Sequence, residues 1–275
     1  MISTLVLVPG VQGRWEYMRR AIEALSAHFQ VLTFSLREDQ PVTMETFTSQ
    51  ITSALEGAGV RRATICGISF GGNVALRFAA TNPDRVEALV LASTPGPGWR
   101  LRPRHELYAR KPLLFGPLFF VESPWRLRGE LVAALPDKRA LIKLTREVMH
   151  TIATAPVSLT GMAARAQLLS TMDVPADCAR ITAPTLVITG EPSLDHVVPA
   201  KGSSEYAHLI AGARAVVLER TGHWGSITRA QAFSDLVTEF VMSHLDKDLR
   251  SNDVPGCAKA SGGAGRERVD AASRD

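Results

Sequence analysis

The feature that most constrains this chain is a serine flanked by glycines, in the form G-x-S-x-G. Gly67, Ser69 and Gly71 follow a short apolar run, Ala63–Cys66, and precede a helical segment, 73–80. This order is typical of a nucleophile elbow, a sharp turn from a strand into a helix. Glycine is needed on both sides because a side chain there would clash with the neighbouring helix or strand. The strained turn would expose the serine hydroxyl at the carboxyl end of a sheet, so Ser69 is a candidate nucleophile.

Apolar runs of strand length alternate with helical segments on both sides of the elbow. The predicted strands are Ile2–Val8, Gln30–Phe34, Ala63–Cys66, Val86–Ala92, Pro184–Thr189 and Ala215–Leu218. The predicted helices of the same pattern are Trp15–Phe29, Thr43–Leu55, Ser69–Thr81, Ser203–Ile210 and Ser226–His244. Such alternation predicts an α/β fold with a doubly wound, mostly parallel sheet of about six strands.

The alternation stops between the fourth and fifth predicted strands. Residues 94–180 contain no strand pattern, and their apolar pieces are Leu107–Tyr108, Leu113–Val121, Leu131–Leu135, Leu141–Ile152 and Gly161–Met172. We therefore expect a helical cap inserted at 94–180 between two parts of one core, 1–93 and 181–246. Residues 247–275 are polar and rich in Gly, Ala, Ser and Arg, which predicts a disordered tail.

Composition and spacing exclude several classes of protein. No apolar run approaches the ~18 residues of a membrane span, and the first residues lack the basic region of a signal peptide. The three cysteines, Cys66, Cys178 and Cys257, are far apart, which favours reduced thiols and a cytoplasmic protein over disulfides or a metal site. A net charge of +4 without basic residues interleaved with aromatics argues against a nucleic-acid partner. We expect no cofactor and a small-molecule substrate, and the oligomeric state stays open.

A serine hydroxyl needs a base within hydrogen-bonding distance, and the base needs a carboxylate to orient it. Of the seven histidines, His223 lies in the loop after the last predicted strand, where this fold would place a base. His196 is its main rival. The resulting order, with the serine first and the histidine last, is the one expected for an elbow serine.

The acid should lie in the loop after the fifth strand, residues 190–199. Asp195 is the preferred candidate because it stands several residues past the strand. Glu191 is the alternative, although it lies close to the strand end. The other acid position known in such folds, after the fourth strand, contains no carboxylate.

With these motifs the chain resembles the α/β-hydrolase superfamily of esterases and lipases, over nearly everything before the tail. The resemblance implies that Ser69 is the nucleophile, Asp195 the acid and His223 the base. It also implies an oxyanion hole made by the backbone N–H groups of Phe70 and Val11. In the superfamily this loop often reads His-Gly-x, whereas this chain has Pro9-Gly10-Val11. Proline in place of the usual histidine is a departure, but it leaves the N–H of Val11 available.

This resemblance implies a serine hydrolase that cleaves a small carboxylic ester or lactone. Three alternatives stay open: a C–C bond hydrolase of ring-cleavage products, a cofactor-free haloperoxidase-like or perhydrolase enzyme, and a non-catalytic binding protein. The pair His223-Trp224 resembles a pattern of the C–C hydrolases. In those enzymes the residue before the nucleophile is commonly asparagine, whereas here it is Ile68.

Two features near the expected site have more than one interpretation. Trp224, next to the candidate base, either lines the acyl pocket or packs in the core. From Gly96 to His150 eleven Lys and Arg residues stand against five acids. This excess either steers an anionic substrate or is a solvated helical surface.

Overall fold

The computed structural model describes residues 2–135 and 137–252. Its sheet has six parallel strands: β1 Thr4–Val8, β2 Gln30–Thr33, β3 Ala63–Ile68, β4 Val86–Ala92, β5 Thr185–Thr189 and β6 Arg214–Val217. Their order across the sheet is β2-β1-β3-β4-β5-β6. The predicted α/β fold with six parallel strands is confirmed, and the elbow strand β3 lies at the centre of the sheet.

Helices cover both faces of the sheet. The helices before β4 are α1 Arg19–Leu25, α2 Met44–Gly57 and α3 Phe70–Thr81. The helices between β4 and β5 are α4 Pro103–Arg110, α5 Pro112–Ala134, α6 Lys138–Thr154, α7 Leu159–Leu168 and α8 Val174–Cys178. The helices after β5 are α9 Ala200–Ser204, α10 Tyr206–Leu209, α11 Gly225–Thr228 and α12 Ala230–Asn252. Thr43 caps α2 as predicted, because its hydroxyl accepts the N–H of Thr46 at 3.1 Å.

Alternating residues of the central strands pack into two apolar cores, one on each face of the sheet. In β1, Val6 and Val8 pack on the face that α2 and α3 cover, while Leu5 and Leu7 pack on the opposite face against α1 and α12. Burial on both faces explains why the strand is a continuous apolar run. The carboxyl ends of the strands are therefore fixed from both sides.

The first predicted helix is shorter than expected. The segment Trp15–Phe29 forms a 3₁₀ turn at Trp15–Met18 and then α1, which ends at Leu25. The chain turns immediately after α1 to enter β2 at Gln30, and this short connection leaves no room for a longer helix.

The segment between β4 and β5 is helical, and one of its helices was not expected. The two separate pieces Leu113–Val121 and Leu131–Leu135 belong to a single helix, α5, which runs through Pro117 and Pro124. Each proline removes one backbone hydrogen bond, yet α5, which packs against α4 and α7, continues through both. The short helix α8 packs against α3, on the core side of this segment.

The last helix, α12, continues to Asn252, past the predicted start of the tail at residue 247. The rest of the predicted tail, residues 253–275, lies outside the described residues. Within residues 2–135 and 137–252, no helix is both long enough and apolar enough to cross a membrane.

Candidate active site

Ser69 occupies the turn between β3 and α3 with a strained backbone. Its φ of 54° and ψ of −123° lie where residues with a side chain rarely occur. The turn needs glycine on both sides: a Cβ at Gly67 would overlap the backbone of Gly71, and a Cβ at Gly71 would overlap the backbone of Val8. The geometry is that of an elbow, and it places the hydroxyl at the carboxyl end of the sheet.

His223 reaches Ser69 from the loop between β6 and α11. Its Nε2 lies 3.1 Å from the hydroxyl oxygen of Ser69, a hydrogen-bonding distance. His196, the rival base, is exposed on the loop after β5. The structure therefore brings His223 to the serine.

Asp195 lies behind the imidazole, on the side away from Ser69. Its Oδ2 is 3.5 Å from Nδ1 of His223, slightly longer than an ordinary hydrogen bond, and Nδ1 has no closer partner in the described chain. Its Oδ1 accepts the N–H groups of Val197 and Val198, both at 2.9 Å. These bonds fix the carboxylate with Oδ2 facing the imidazole.

The surroundings of Asp195 favour its ionised form. Burial alone would raise its pKa, but His223 and the two backbone N–H groups outweigh burial, so the pKa lies below its ordinary value. The carboxylate therefore stays charged and can stabilise a protonated His223.

Glu191, the alternative acid, points elsewhere. Its Oε1 accepts the backbone N–H of Arg220 at 2.6 Å, on the exposed side of the His223 loop. Because this bond occupies Glu191 away from the imidazole, Asp195 is the better placed of the two carboxylates.

Two residues that line the same cavity as Ser69 carry the N–H groups predicted to bind an oxyanion. Phe70 is the first residue of α3, and its N–H has no carbonyl acceptor within the described chain. The same holds for Val11 in the loop after β1, which lines the cavity next to Ser69. This loop approaches the elbow closely, since a Cβ on Gly10 would lie 3.5 Å from Cβ of Ser69. Both groups predicted for an oxyanion hole are therefore free to bind an oxygen.

Two cavities meet at Ser69 and His223. The larger, about 480 Å³, lies under the helices that follow β4, and its lining is mostly apolar, including Phe119, Leu127, Leu131, Leu144, Met162 and Leu169. The smaller, about 400 Å³, is rich in charged side chains, among them Arg14, Glu16, Arg20, Arg146 and Glu147. Trp224 lines both cavities. Among the basic residues counted in the sequence, Arg126 lines the larger cavity and Arg146 the smaller.

Two buried charged side chains of the inserted helices contact the loops of the site. Arg165 of α7 donates from Nε to the carbonyl of Val11 at 2.8 Å. Glu130 of α5 accepts the N–H of Trp224 at 3.0 Å. Neither residue was predicted from the sequence, because Arg165 and Glu130 lie 154 and 94 residues from these partners and no local pattern marks them. The described chain holds no group of three or more His, Cys, Asp or Glu side chains arranged to bind a metal ion.

The parallel sheet, the strained elbow and a histidine in contact with the elbow serine define a hydrolase of the α/β type. Comparison with known families agrees, since the pattern of the alpha/beta hydrolase family matches residues 5–236. The chain belongs to this family, and it is an enzyme of the hydrolase class.

Known relatives within the family differ in their reactions. The chain is 25% identical over 253 residues to a protein of Stutzerimonas stutzeri named "putative carbamate hydrolase RutD", covering 86% of this chain and 90% of that protein. It is 28% identical over 260 residues to the 2-hydroxy-6-oxononadienedioate/2-hydroxy-6-oxononatrienedioate hydrolase of Cupriavidus pinatubonensis, covering 85% of this chain and 83% of that protein.

Solved structures of similar proteins share the fold of this chain. The crystal structure of the enol-lactonase from Burkholderia xenovorans superposes with a TM-score of 0.71 at 25% identity, covering 88% of this chain and 92% of that one. A bromoperoxidase from Bacillus anthracis reaches the same TM-score at 22% identity, over 87% of this chain and 92% of that one, and shows the shared fold.

Proposed function

We propose that this protein is a serine hydrolase that cleaves a small carboxylic ester or lactone through an acyl-enzyme on Ser69. The observation that carries the proposal is the contact of 3.1 Å between the Ser69 hydroxyl and Nε2 of His223, with Asp195 behind the imidazole. A serine in this contact can lose its proton to the imidazole as it attacks a carbonyl.

In the first half of the reaction, the Ser69 oxygen bonds to the carbonyl carbon while Nε2 of His223 takes the hydroxyl proton. The carbonyl oxygen becomes an oxyanion, and the free N–H groups of Val11 and Phe70 are placed to stabilise it. Asp195 stabilises the imidazolium. When the tetrahedral intermediate collapses, the bond to the leaving alcohol breaks and His223 protonates the alcohol oxygen.

In the second half, water replaces the alcohol. His223 takes a proton from water as the water oxygen bonds to the acyl carbon, and the Ser69 ester bond breaks. The proton then returns from His223 to the Ser69 oxygen, and the carboxylic acid leaves. For a lactone the two products are one molecule, a hydroxy acid.

In this proposal, one cavity binds the acyl chain of the substrate and the other binds its leaving group. The apolar cavity suits the acyl chain, because burying apolar surface is favourable, and the charged cavity suits a polar leaving group. Trp224 would contact both portions. In this proposal the helices between β4 and β5 act as a cap whose inner surfaces set the acyl preference.

The test of the nucleophile is Ser69→Ala. We expect the variant to lose hydrolysis of a short p-nitrophenyl ester and labelling by a fluorophosphonate probe while keeping its melting temperature. Retention of most of the activity would show that Ser69 is not the nucleophile. A wild-type protein that neither hydrolyses esters nor reacts with the probe would favour the non-catalytic alternative.

A C–C bond hydrolase is the second candidate, because one relative carries the name of such an enzyme. Ile68 before the nucleophile speaks against it. A dienol-keto acid assayed beside the p-nitrophenyl esters separates the two, since the candidate with the higher kcat/KM is the native class. Haloperoxidase-like or perhydrolase activity would appear as peroxide-dependent oxidation in the same preparation.

A further inference from the structure

Glu130 is a fully buried carboxylate on α5, with an exposed fraction of 0%, and it lies outside the catalytic set. We propose that Glu130 is a positioning residue that holds the His223 loop at the distance at which His223 contacts Ser69. This inference rests on the proposed function of that site.

Both oxygens of Glu130 are used by the segment that follows His223. Oε2 accepts the backbone N–H of Trp224, the residue next to the base, at 3.0 Å. Oε1 lies 3.0 Å from the hydroxyl of Thr228, the last residue of α11. The hydroxyl of Thr228 is also 3.1 Å from the carbonyl of Trp224. One carboxyl group thus links both ends of the short helix that begins next to His223.

The loop has little room to move on either side. A Cβ built on Gly222 would overlap the carbonyl of Leu194 and would lie 2.9 Å from Oε2 of Glu130. Gly222 is therefore held between the Asp195 loop and Glu130. On the outer side, Nε of Arg220 donates to the carbonyl of Ala133, also on α5, at 2.7 Å. Helix α5 thus holds the base loop at two points.

A merely structural role would not require a carboxylate here. Burying a charge or an unpaired polar group is costly, and an apolar side chain of similar size would normally fill such a position at lower cost. Glu130 lies opposite Trp224 and Thr228 and makes no contact with Nδ1 of His223, so it is not the acid of the site. Its hydrogen bonds instead fix the backbone that carries the base.

The test compares Glu130→Gln with Glu130→Leu. The amide can accept from Trp224 N–H and donate to the Thr228 hydroxyl, so we expect kcat within about threefold of wild type. Leucine has no such groups, and a base displaced by about 1 Å should lower kcat by about 10². KM should change less than kcat, because Glu130 itself lines neither cavity. The rate of fluorophosphonate labelling should fall together with kcat.

The matched control is Asp177→Leu. Asp177 of α8 is also a buried carboxylate, 1% exposed, pairs with Arg77 of α3 at 3.1 Å, and lines neither cavity of the site. It should lower the melting temperature without lowering the kcat of the folded enzyme. If Glu130→Leu does not fold, Thr228→Val and Thr228→Ser replace it: serine keeps the hydroxyl and should keep kcat, and valine should lower kcat about tenfold.

Hydrogen exchange separates this proposal from the proposed function. The amide of Trp224 should exchange about tenfold faster in Glu130→Leu, since it loses its acceptor. Unchanged exchange at Trp224 overturns the positioning role even if no ester is hydrolysed. A folded Glu130→Leu, or a Thr228→Val, with wild-type kcat overturns it as well. Equal losses of kcat in Glu130→Gln and Glu130→Leu overturn it too, because the amide keeps the hydrogen bonds.

Discussion

At the scale of single residues, the two carboxylates of the β5 loop make the sharpest prediction. Asp195→Asn should lower kcat by about 10³–10⁴, the scale for a triad acid replaced by its amide. Glu191→Gln should cost less than about tenfold, because Glu191 binds the N–H of Arg220 and not the imidazole. Both variants are assayed at one pH with folding checked by circular dichroism. If Glu191→Gln is the damaging change, the acid has been misassigned although the hydrolase class stands.

Glu130 also predicts how stability depends on pH. Burial raises its pKa above the ordinary 4.5, and its hydrogen bonds with Trp224 and Thr228 offset burial only in part. With the folded pKa above the unfolded one, stability is fully present below the unfolded pKa and is lost as pH rises through the folded pKa.

Glutamine at position 130 cannot ionise, so the variant does not lose stability in this way as the pH rises. The melting temperature of Glu130→Gln relative to wild type should therefore rise as the pH rises above the ordinary glutamate pKa of 4.5. Thermal melts in a series of buffers measure this difference. If the difference in melting temperature between Glu130→Gln and wild type stays constant across the pH series, Glu130 has the same pKa in the folded and unfolded protein.

At the scale of elements, α7 supports the loop after β1 through Arg165. This side chain is fully buried and donates to the carbonyls of Val11 at 2.8 Å and Gln12 at 3.3 Å. Arg165→Met should release that loop and lower kcat by about tenfold, less than the ~10²–10³ for losing an oxyanion donor outright. Gln167→Met, an exposed change on the same helix, serves as the control. Equal kcat in the two variants would show that the loop holds its position without Arg165.

The strands and the elbow could be predicted from the sequence because their signals are local. β4 was predicted at its observed bounds, Val86–Ala92, since a strand buried on both faces is a continuous apolar run. The proximity of Ser69, His223 and Asp195 could be predicted because the fold fixes which loops carry them, while their catalytic roles stay predictions. The elbow glycines stand in the same local motif, although the backbone that excludes a Cβ at Gly71 belongs to Val8 in the distant strand β1.

Helix α5 and the roles of Glu130 and Arg165 could not be predicted, because tertiary contacts determine them. Pro117 and Pro124 disfavour a continuous helix, yet α5 runs through both and packs against α4 and α7. A buried glutamate or arginine looks like any surface charge in a sequence until its distant partner is known. In this chain those partners are backbone groups on loops of the core.

At the scale of the whole molecule, loops of the sheet carry the three proposed catalytic residues, and the helices between β4 and β5 supply most of the walls of the apolar cavity. Ser69, His223 and Asp195 all come from loops at the carboxyl ends of strands, where parallel α/β sheets place their sites. The lining of the large cavity comes mostly from α4 to α7. Activity and acyl preference should therefore respond to different substitutions.

A series of p-nitrophenyl esters tests this separation. Each added CH₂ that enters the large cavity should contribute up to ~0.8 kcal/mol, or about fourfold in kcat/KM. We expect kcat/KM to rise from the acetate towards the hexanoate or octanoate and to level off once the cavity of about 480 Å³ is filled.

Ala166 on α7 lines that cavity, so Ala166→Phe should place a ring in it. The variant should lose kcat/KM for the longer esters and keep it for the acetate, while Gln167→Phe adds the same ring on the exposed side of α7 and should leave the series unchanged. Steady-state kinetics over the whole series measures both effects. A wild-type series that is flat or falls with chain length would mean that the acyl group does not enter the apolar cavity. An equal loss for acetate and octanoate in Ala166→Phe would mean that the ring disturbs the catalytic loops instead of occupying the acyl pocket.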